Sequence, residues 1–362
     1  MCLPSERPNW WDGYAWFQDL KDCYGALYDE ISKIIFDARV KTDLLFHPQY
    51  VDDMIEVCRQ SKSGYLKLNI LQDAAKTKKP IAIYGAGRYG KKWAEYLRSI
   101  SANLTGFFDQ NYETMTSCMG LPVMPPPESA NNFTDYCILI TPVDHSKEIH
   151  QFLMSRGFSA EQLIICGYRE EDFEHQYFDF PEKYPKGGAF VDAGCFNCDT
   201  SLRFVRWCGG QYSKIFAFEP DAENLERCKL AAQKHGLPNI SFYQAGLYDH
   251  NGTASFDSRG TSSSLIAQGG DVEIPLVMLD EIVGNTTVSF IKMDIEGSEL
   301  PALRGAAKTI RRDKPLCAIS AYHRPGDVIV LMQYLKSLVP EYQFALRHYS
   351  NIDTETVLYA FL

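Results

Sequence analysis

Four apolar runs in the second half of the chain each end in a residue able to do chemistry. Ala189-Phe190-Val191-Asp192-Ala193-Gly194 leads into Cys195-Phe196-Asn197-Cys198, and Asp199, Thr200 and Ser201 then open a helical pattern. Ile215-Phe216-Ala217-Phe218 ends in Glu219-Pro220, Val288 to Met293 ends in Asp294 with Glu296 close behind, and Leu316 to Ala321 ends in Tyr322-His323. A strand, tight loop, helix and second strand make a parallel pair and bring the 192–199 loop to the carboxyl edge of a sheet, where ligands of such folds collect. An acid at the end of the second strand can accept both hydroxyls of a ribose. The loop lacks the three glycines that let a backbone cradle pyrophosphate, so the pattern asks for a nucleoside without a phosphate chain, a description that S-adenosylmethionine meets. The expected cofactor contacts are Asp192, Gly194, Asp199, Thr200, Ser201, Glu219 and Pro220, with an adenine edge at Gly246 and the amino group near Asp294.

A methyl on a sulfonium is already activated, so the protein must mainly align an acceptor atom behind it and take up a proton. His323 has the ordinary pKa best suited to a base at neutral pH. Asp294 and Glu296 are expected to orient acceptor or cofactor, although Glu296 and Glu299 also fit as acids in the first turn of a helix. Asp294, Glu296 and Asp280 offer hard oxygen ligands for Mg²⁺ as a second arrangement, which nothing in their spacing demands. The Cys195–Cys198 spacing matches a redox or metal motif but has no second Cys/His pair nearby.

A separate glycine-rich stretch lies earlier. The strand Pro80-Ile81-Ala82-Ile83-Tyr84 runs into Gly85-Ala86-Gly87-Arg88-Tyr89-Gly90, a helical pattern follows from Lys91, and a further strand, 104–108, ends in Asp109. Gly85, Gly87, Gly90 and Asp109 thus form a dinucleotide-type fingerprint in its proper context, a candidate second nucleotide site. Binding of a nucleotide or nucleotide sugar, and a purely structural Rossmann-like unit, both remain open from the sequence; this segment is similar to the nucleotide-sugar-binding-like domains attached to bacterial sugar-modifying enzymes.

The elements that must position these residues suggest three regions and a linker. Residues 1–78 show helical spacing with Trp10, Trp11, Tyr14, Trp16 and Phe17 crowded at the start, and read as a cap on a neighbouring domain or a second copy of the chain, or as an acceptor-binding lid. Residues 79–167 form the glycine-loop unit, 168–187 an acidic, aromatic linker, and 188–362 an alternating α/β unit finished by a hairpin. The fold class is α/β, two doubly wound Rossmann-like units behind a helical N-terminal segment. The chain has 362 residues with 23% charged and 45% apolar, an ordinary globular composition. A net charge of −10 and no long basic run argue against nucleic-acid binding. No run approaches the length of a membrane span and no export signal is seen, so the eleven cysteines are expected as reduced thiols in the cytoplasm.

Lys292-Met293-Asp294-Ile295-Glu296-Gly297-Ser298-Glu299 followed by Leu303-Arg304-Gly305-Ala306, together with Asp192-Ala193-Gly194, Asp199-Thr200-Ser201, Phe218-Glu219-Pro220, Ser262-Ser263-Ser264-Leu265 and Leu279-Asp280, resembles the signature set of the FkbM family of S-adenosylmethionine-dependent methyltransferases. The resemblance covers about 186–362 in the correct order. It implies a class I methyltransferase fold and, commonly, O-methylation of sugars or hydroxylated natural products, with a sugar or nucleotide-sugar acceptor. Members often have Ala-Asn-x-Gly after the first glycine; here Cys198 stands at the last position and removes an easy positive-φ residue, so the loop must turn differently or bear strain. The rival reading is a non-catalytic sensor in which two nucleotide folds bind metabolites; an oxidoreductase using the 85–90 loop would leave the second unit without work.

Overall fold

The structure, a computed structural model, describes residues 13–45, 50, 51, 53, 54, 57, 74–142, 145–165, 175–257, 265, 266, 272–350 and 353–362. Trp10, Trp11 and Ser262 to Ser264 lie outside them. Two compact units result, and their borders differ from those read along the sequence: the first combines the residues up to Val40 with His175–Arg347 and Glu355–Leu362, the second Lys41–Glu174 with His348–Thr354.

The first unit is built on a seven-stranded sheet of β7 (Ala189–Ala193), β8 (Ile215–Phe218), β9 (Ile240–Tyr243), β14 (Val288–Met293), β15 (Leu316–Ser320), β16 (Gln343–His348) and β17 (Thr356–Phe361), in the order β16-β17-β15-β14-β7-β8-β9. Strands β7, β8, β9, β14 and β15 are parallel, and β17 alone pairs antiparallel with β15. The central strands are apolar runs because both faces are covered: β7, β14 and β15 are buried at every residue. Helices α5 (Asp199–Trp207), α6 (Ala222–Lys234), α8 (Glu299–Gly305), α9 (Ala307–Asp313) and α10 (Asp327–Leu338) supply the crossovers and covers. Asp221 starts α6 by accepting the backbone N–H groups of Glu223 and Asn224 at 2.9 and 3.0 Å, donors the helix itself leaves unpaired. Phe190 stacks on Phe204 with centroids 4.1 Å apart, and Phe178, Tyr184, Trp207 and Phe290 extend this aromatic core. A small sheet, β10 (Gly246–Leu247), β13 (Val272–Val277), β11 (Gly252–Asp257) and β12 (Leu265–Ile266), adjoins short helix α7 (Leu279–Val283) in sequence.

The helical spacing at the N-terminus is realised as two helices, α1 (Gly13–Gly25) and α2 (Glu30–Leu44), separated where Leu27 bridges Phe344 of β16. Tyr28 N–H bonds the Phe344 carbonyl at 2.6 Å, and Arg347 pairs with Asp29 at 2.7 Å. The residues between the helices therefore act as an added edge on the terminal hairpin, and cover part of the unit that begins far downstream.

The second unit holds a six-stranded sheet in the order β3-β4-β2-β1-β5-β6: β1 (Pro80–Tyr84), β2 (Asn103–Phe108), β3 (Ser117–Cys118), β4 (Leu121–Met124), β5 (Cys137–Ile140) and β6 (Leu163–Ile165). All pairs are parallel except β3 with β4, and helices α3 (Arg88–Ser99) and α4 (Ser146–Ser155) are the crossovers. Its core is Tyr84, Phe108, Ile138, Ile140, Leu153 and Phe158 with their neighbours.

One buried ion pair ties the centre of the larger sheet. Lys292 on β14 is 2% exposed and Asp192 on β7 is not exposed at all; Nζ lies 3.3 Å from Oδ1. The same ammonium donates to the carbonyls of Ala193 and Gly194 at 3.1 and 2.7 Å, and Ser201 donates to the other Asp192 oxygen at 2.6 Å. Removing one partner of such a pair strands the other charge, which typically loses about 3–5 kcal/mol. Lys292→Met is therefore expected to lower hydrogen-exchange protection of the β7 and β14 amides by roughly two to three orders of magnitude; unchanged protection would show that Asp192 is satisfied without the lysine.

Candidate functional site

The carboxyl ends of β7, β8, β14 and β15 come together as an edge lined by the residues the sequence singles out. At the first of them, Gly194 adopts φ +77°, and a Cβ there would stand 1.9 Å from the Asp294 carbonyl oxygen. Only glycine lets the 194–198 loop lie directly on the end of β14. The loop then turns through Phe196 at φ +47° and Cys198 at φ +68°, left-handed conformations held without glycine. Such residues typically store about 1–3 kcal/mol each. The strain expected from the missing glycine is thus present, and Cys198 is anchored by its N–H to the Cys195 carbonyl at 2.7 Å. Cys195 does not form a Cys-x-x-Cys site: its thiol meets Cys228 of α6 at 3.4 Å, and hydrogen bonding to Cys228 and burial push it well above the usual thiol range. No disulfide joins the described cysteines.

Glu219 stands at the end of β8. Its two carboxylate oxygens accept one backbone N–H each, from Phe196 and from Asp221, both at 3.0 Å. Each oxygen keeps a lone pair for a further donor. Burial raises the Glu219 pKa, against the pull of those N–H groups. Asp192 and Ser201 are wholly buried and bonded to one another, so they shape the loop from beneath. Asp199 is exposed at the start of α5, 3.8 Å from Arg203, while Thr200 and Pro220 are half-buried. Gly246 is held in β10 opposite Leu276.

The second part of the edge is an acidic pocket. His323 is 7% exposed, its Nδ1 is 2.9 Å from Glu299, and its Nε2 is 3.5 Å from Asp294 and 3.7 Å from Glu296. Burial alone would lower its pKa; the charges of Glu299, Asp294 and Glu296 overcome this and raise it to about 10. The expected base thus faces three carboxylates, which favour its protonated form. Glu296, at φ +54° and 28% exposed, behaves in the opposite way: burial, aided by Asp294 and Glu299 and opposed by His323, raises its pKa to about 7. Burial would raise Asp294 too, but Lys292, His323 and the Tyr177 hydroxyl together lower it. Glu299 is no ordinary first-turn acid, since it is 1% exposed and accepts the Ile295 N–H at 2.9 Å as well as facing His323.

Several members of this pocket escape the sequence reading. Tyr177 and Gln176 come from the segment read as a linker: the Tyr177 hydroxyl donates to Asp294 at 2.9 Å, and the Gln176 amide donates to Glu355 at 2.6 Å. Tyr322 lies 3.2 Å from Asp294 and 3.1 Å from Glu355. Glu355 precedes β17; an antiparallel strand starts where its parallel neighbours end, and that reversal was the available signal. Lys292 was quoted only as part of a motif.

The Mg²⁺ arrangement is not brought together. Asp280 instead accepts the Lys308 and Thr309 N–H groups at 3.0 and 2.8 Å, at the start of α9. The one candidate cation cluster among the described residues is Asp294, Glu299 and His323. It includes an imidazole, a poor match to the all-oxygen shell Mg²⁺ takes. Gly85, Gly87, Gly90 and Asp109 belong to the second unit and form no part of this edge.

A sheet of five parallel strands closed by an antiparallel hairpin strand inserted beside β15, with a glycine loop after β7 and an acid ending β8, defines the class I methyltransferase fold. Residues 192–344 match the family model described as the methyltransferase FkbM domain. Among solved structures, the chain is similar to a methyltransferase FkbM from Methylobacillus flagellatus, with 18% identity, TM-score 0.47, and coverage of 81% of this chain and 93% of that one. It is also similar to an rRNA methylase from Streptococcus thermophilus (17% identity, TM-score 0.34, 50% and 89% covered). A third is an S-adenosylmethionine-dependent methyltransferase from Aquifex aeolicus (15%, 0.32, 53% and 93%). No curated protein matches. Among the described residues, no helix is long and apolar enough to cross a membrane.

Gly194→Ala places a methyl against the Asp294 carbonyl and must push the loop off β14. Calorimetric titration with S-adenosylhomocysteine is expected to show at least a tenfold loss of affinity in a folded protein. Wild-type affinity would mean that the loop's seat on β14 does not set the cofactor site.

Proposed function

We propose that the first unit transfers the methyl of S-adenosylmethionine to a hydroxyl of a polyhydroxylated acceptor, such as a sugar or glycan precursor, with Glu296 as the base. The observation that carries this reading is the Glu296 carboxyl, partly exposed just past the end of β14 and 3.7 Å from His323 Nε2, where burial raises its pKa. A base is most effective when its pKa lies near the working pH. When bound, S-adenosylmethionine supplies an electrophilic methyl on a sulfonium sulfur. Glu219, with one free lone pair on each oxygen, fits the ribose diol, and the 194–198 backbone fits the methionine portion. Ionised Glu296 takes the proton of the acceptor hydroxyl as the oxygen–methyl bond forms and the carbon–sulfur bond breaks, its electrons passing to sulfur.

The surrounding groups suit that task. Asp294, Tyr322 and Glu355, all partly exposed at this edge, offer carboxylates and a hydroxyl that a polyol could use. The His323 imidazolium holds the ionised form of Glu296 in place and steadies its pKa near the working range. Absence of disulfides among the described cysteines fits a reducing, cytoplasmic setting.

The acid limb of the rate profile follows from these charges. Turnover, followed as S-adenosylhomocysteine release with a panel of sugars and nucleotide sugars, should rise with pH through about 7, as Glu296 loses its proton. Glu296→Gln should lower turnover by roughly 10²–10⁴-fold with cofactor affinity retained. Full turnover in that variant would exclude Glu296 as the base. His323→Asn removes the cation that lowers the Glu296 pKa, so the limb should move to higher pH. A shift to lower pH would contradict the electrostatic account.

A further inference from the structure

The second unit repeats, in its own sheet, the arrangement that Glu219 makes in the first. Asp109 follows β2, the strand next to the central β1, and its carboxylate is tied at both oxygens by backbone N–H groups. Oδ2 accepts from Ala86 in the glycine loop after β1 at 2.8 Å, and Oδ1 accepts from Asn111, two residues on, at 2.9 Å. Glu219 is held by the same two kinds of donor, one in the loop after the neighbouring strand and one two residues on. In both cases the carboxylate is fixed in direction and keeps one lone pair per oxygen. Asp109 is half-buried, so those lone pairs reach open space.

That space is a cavity of about 580 Å³, inside the roughly 300–1,000 Å³ range of small-molecule sites. Tyr84, Asp109, Asn111, Pro142, His145 and Glu148 are among its walls. It lies at the carboxyl ends of β1, β2 and β5, where the chain leaves β1 toward one side and β5 toward the other, the switch point at which open α/β sheets bind ligands. The loop beside it is built for close approach: a Cβ on Gly90 would stand 1.9 Å from the Gly85 carbonyl oxygen. Among the described residues that line it there is no lysine or arginine, whereas Asp109 and Glu148 are present. The wall therefore favours hydroxyl donors over a dense cluster of phosphate charge.

We infer that this cavity is a second ligand site, distinct from the methyl-donor site, which takes a ribonucleoside unit through its 2′,3′-diol on the Asp109 carboxylate. The shared chemistry is the diol; a free nucleoside and a nucleotide are its two sources.

The test uses the full chain saturated with S-adenosylhomocysteine, so that the donor site is filled. Uridine and adenosine, their 5′-diphosphates and the 2′-deoxy forms of each are titrated by calorimetry. Backbone hydrogen exchange is followed over residues 84–90 and 109–111. A one-to-one complex with at least one ribose probe is expected, weakened at least tenfold by loss of the 2′-hydroxyl, with protection at those two segments. Asp109→Asn should weaken it at least tenfold and leave S-adenosylhomocysteine affinity unchanged. Tighter binding of the diphosphates identifies a nucleotide as the source, and equal binding a nucleoside. No binding by any probe, indifference to the 2′-hydroxyl, or protection elsewhere overturns the inference. Should Asp109→Asn fail to fold, the deoxy comparison and the protection pattern on the native chain still decide.

Discussion

The first unit depends on a single buried cation. Lys292 forms an ion pair with Asp192 and donates to the Ala193 and Gly194 carbonyls, and so joins the middle of one strand to the mouth of the next. Two wholly buried charges are tolerable there because each is paired and hydrogen-bonded, Asp192 through Ser201 as well. The attraction of Asp192 and Asp294 keeps Lys292 protonated even though burial alone would favour its neutral form. From that point the cofactor loop inherits its direction, and the β14 end inherits its proximity to the loop.

Electrostatics divide the labour at the edge. Three carboxylates near one imidazole cannot all be ionised at equal ease, and the structure resolves the conflict unevenly. Glu299 and Asp294 enclose the imidazolium, and Asp294 is further held by Lys292 and a tyrosine hydroxyl; Glu296, left with less compensation, keeps its proton more tightly. Environments that push neighbouring titratable groups apart are what separate acid from base in a site of otherwise similar residues.

Much of this was readable from the residues alone. The alternation of apolar strands and helices, the glycine at 194, the acid at 219 and the strand ends at 294 and 323 follow from local patterns with a period and a stop signal. Identity at the level of roles was not. The ordinary pKa of histidine favours His323 as a base, and only the three carboxylates from other positions reverse that; no local spacing reveals them. Asp280 looked like an available ligand until its two oxygens were found on helix N–H groups of Lys308 and Thr309. Glu355 and Tyr177 are separated from Asp294 by 61 and 117 positions in the chain and reach its surroundings through topology. The N-terminal helices gave their periodicity but not the break at Leu27, which is set by an edge strand more than three hundred residues away.

Tyr177 has a consequence for how portable the catalytic unit is. The family match begins at residue 192, and the first strand of the sheet at Ala189, yet the hydroxyl that bonds Asp294 and the amide that bonds Glu355 come from 176 and 177. The recognisable domain and the working domain therefore have different left-hand borders. Grafting the segment from 192 onward into another protein would carry over the sheet and the loop while removing the Tyr177 hydroxyl from Asp294 and the Gln176 amide from Glu355. Shuffling between relatives would have to exchange the preceding aromatic segment together with the domain it serves.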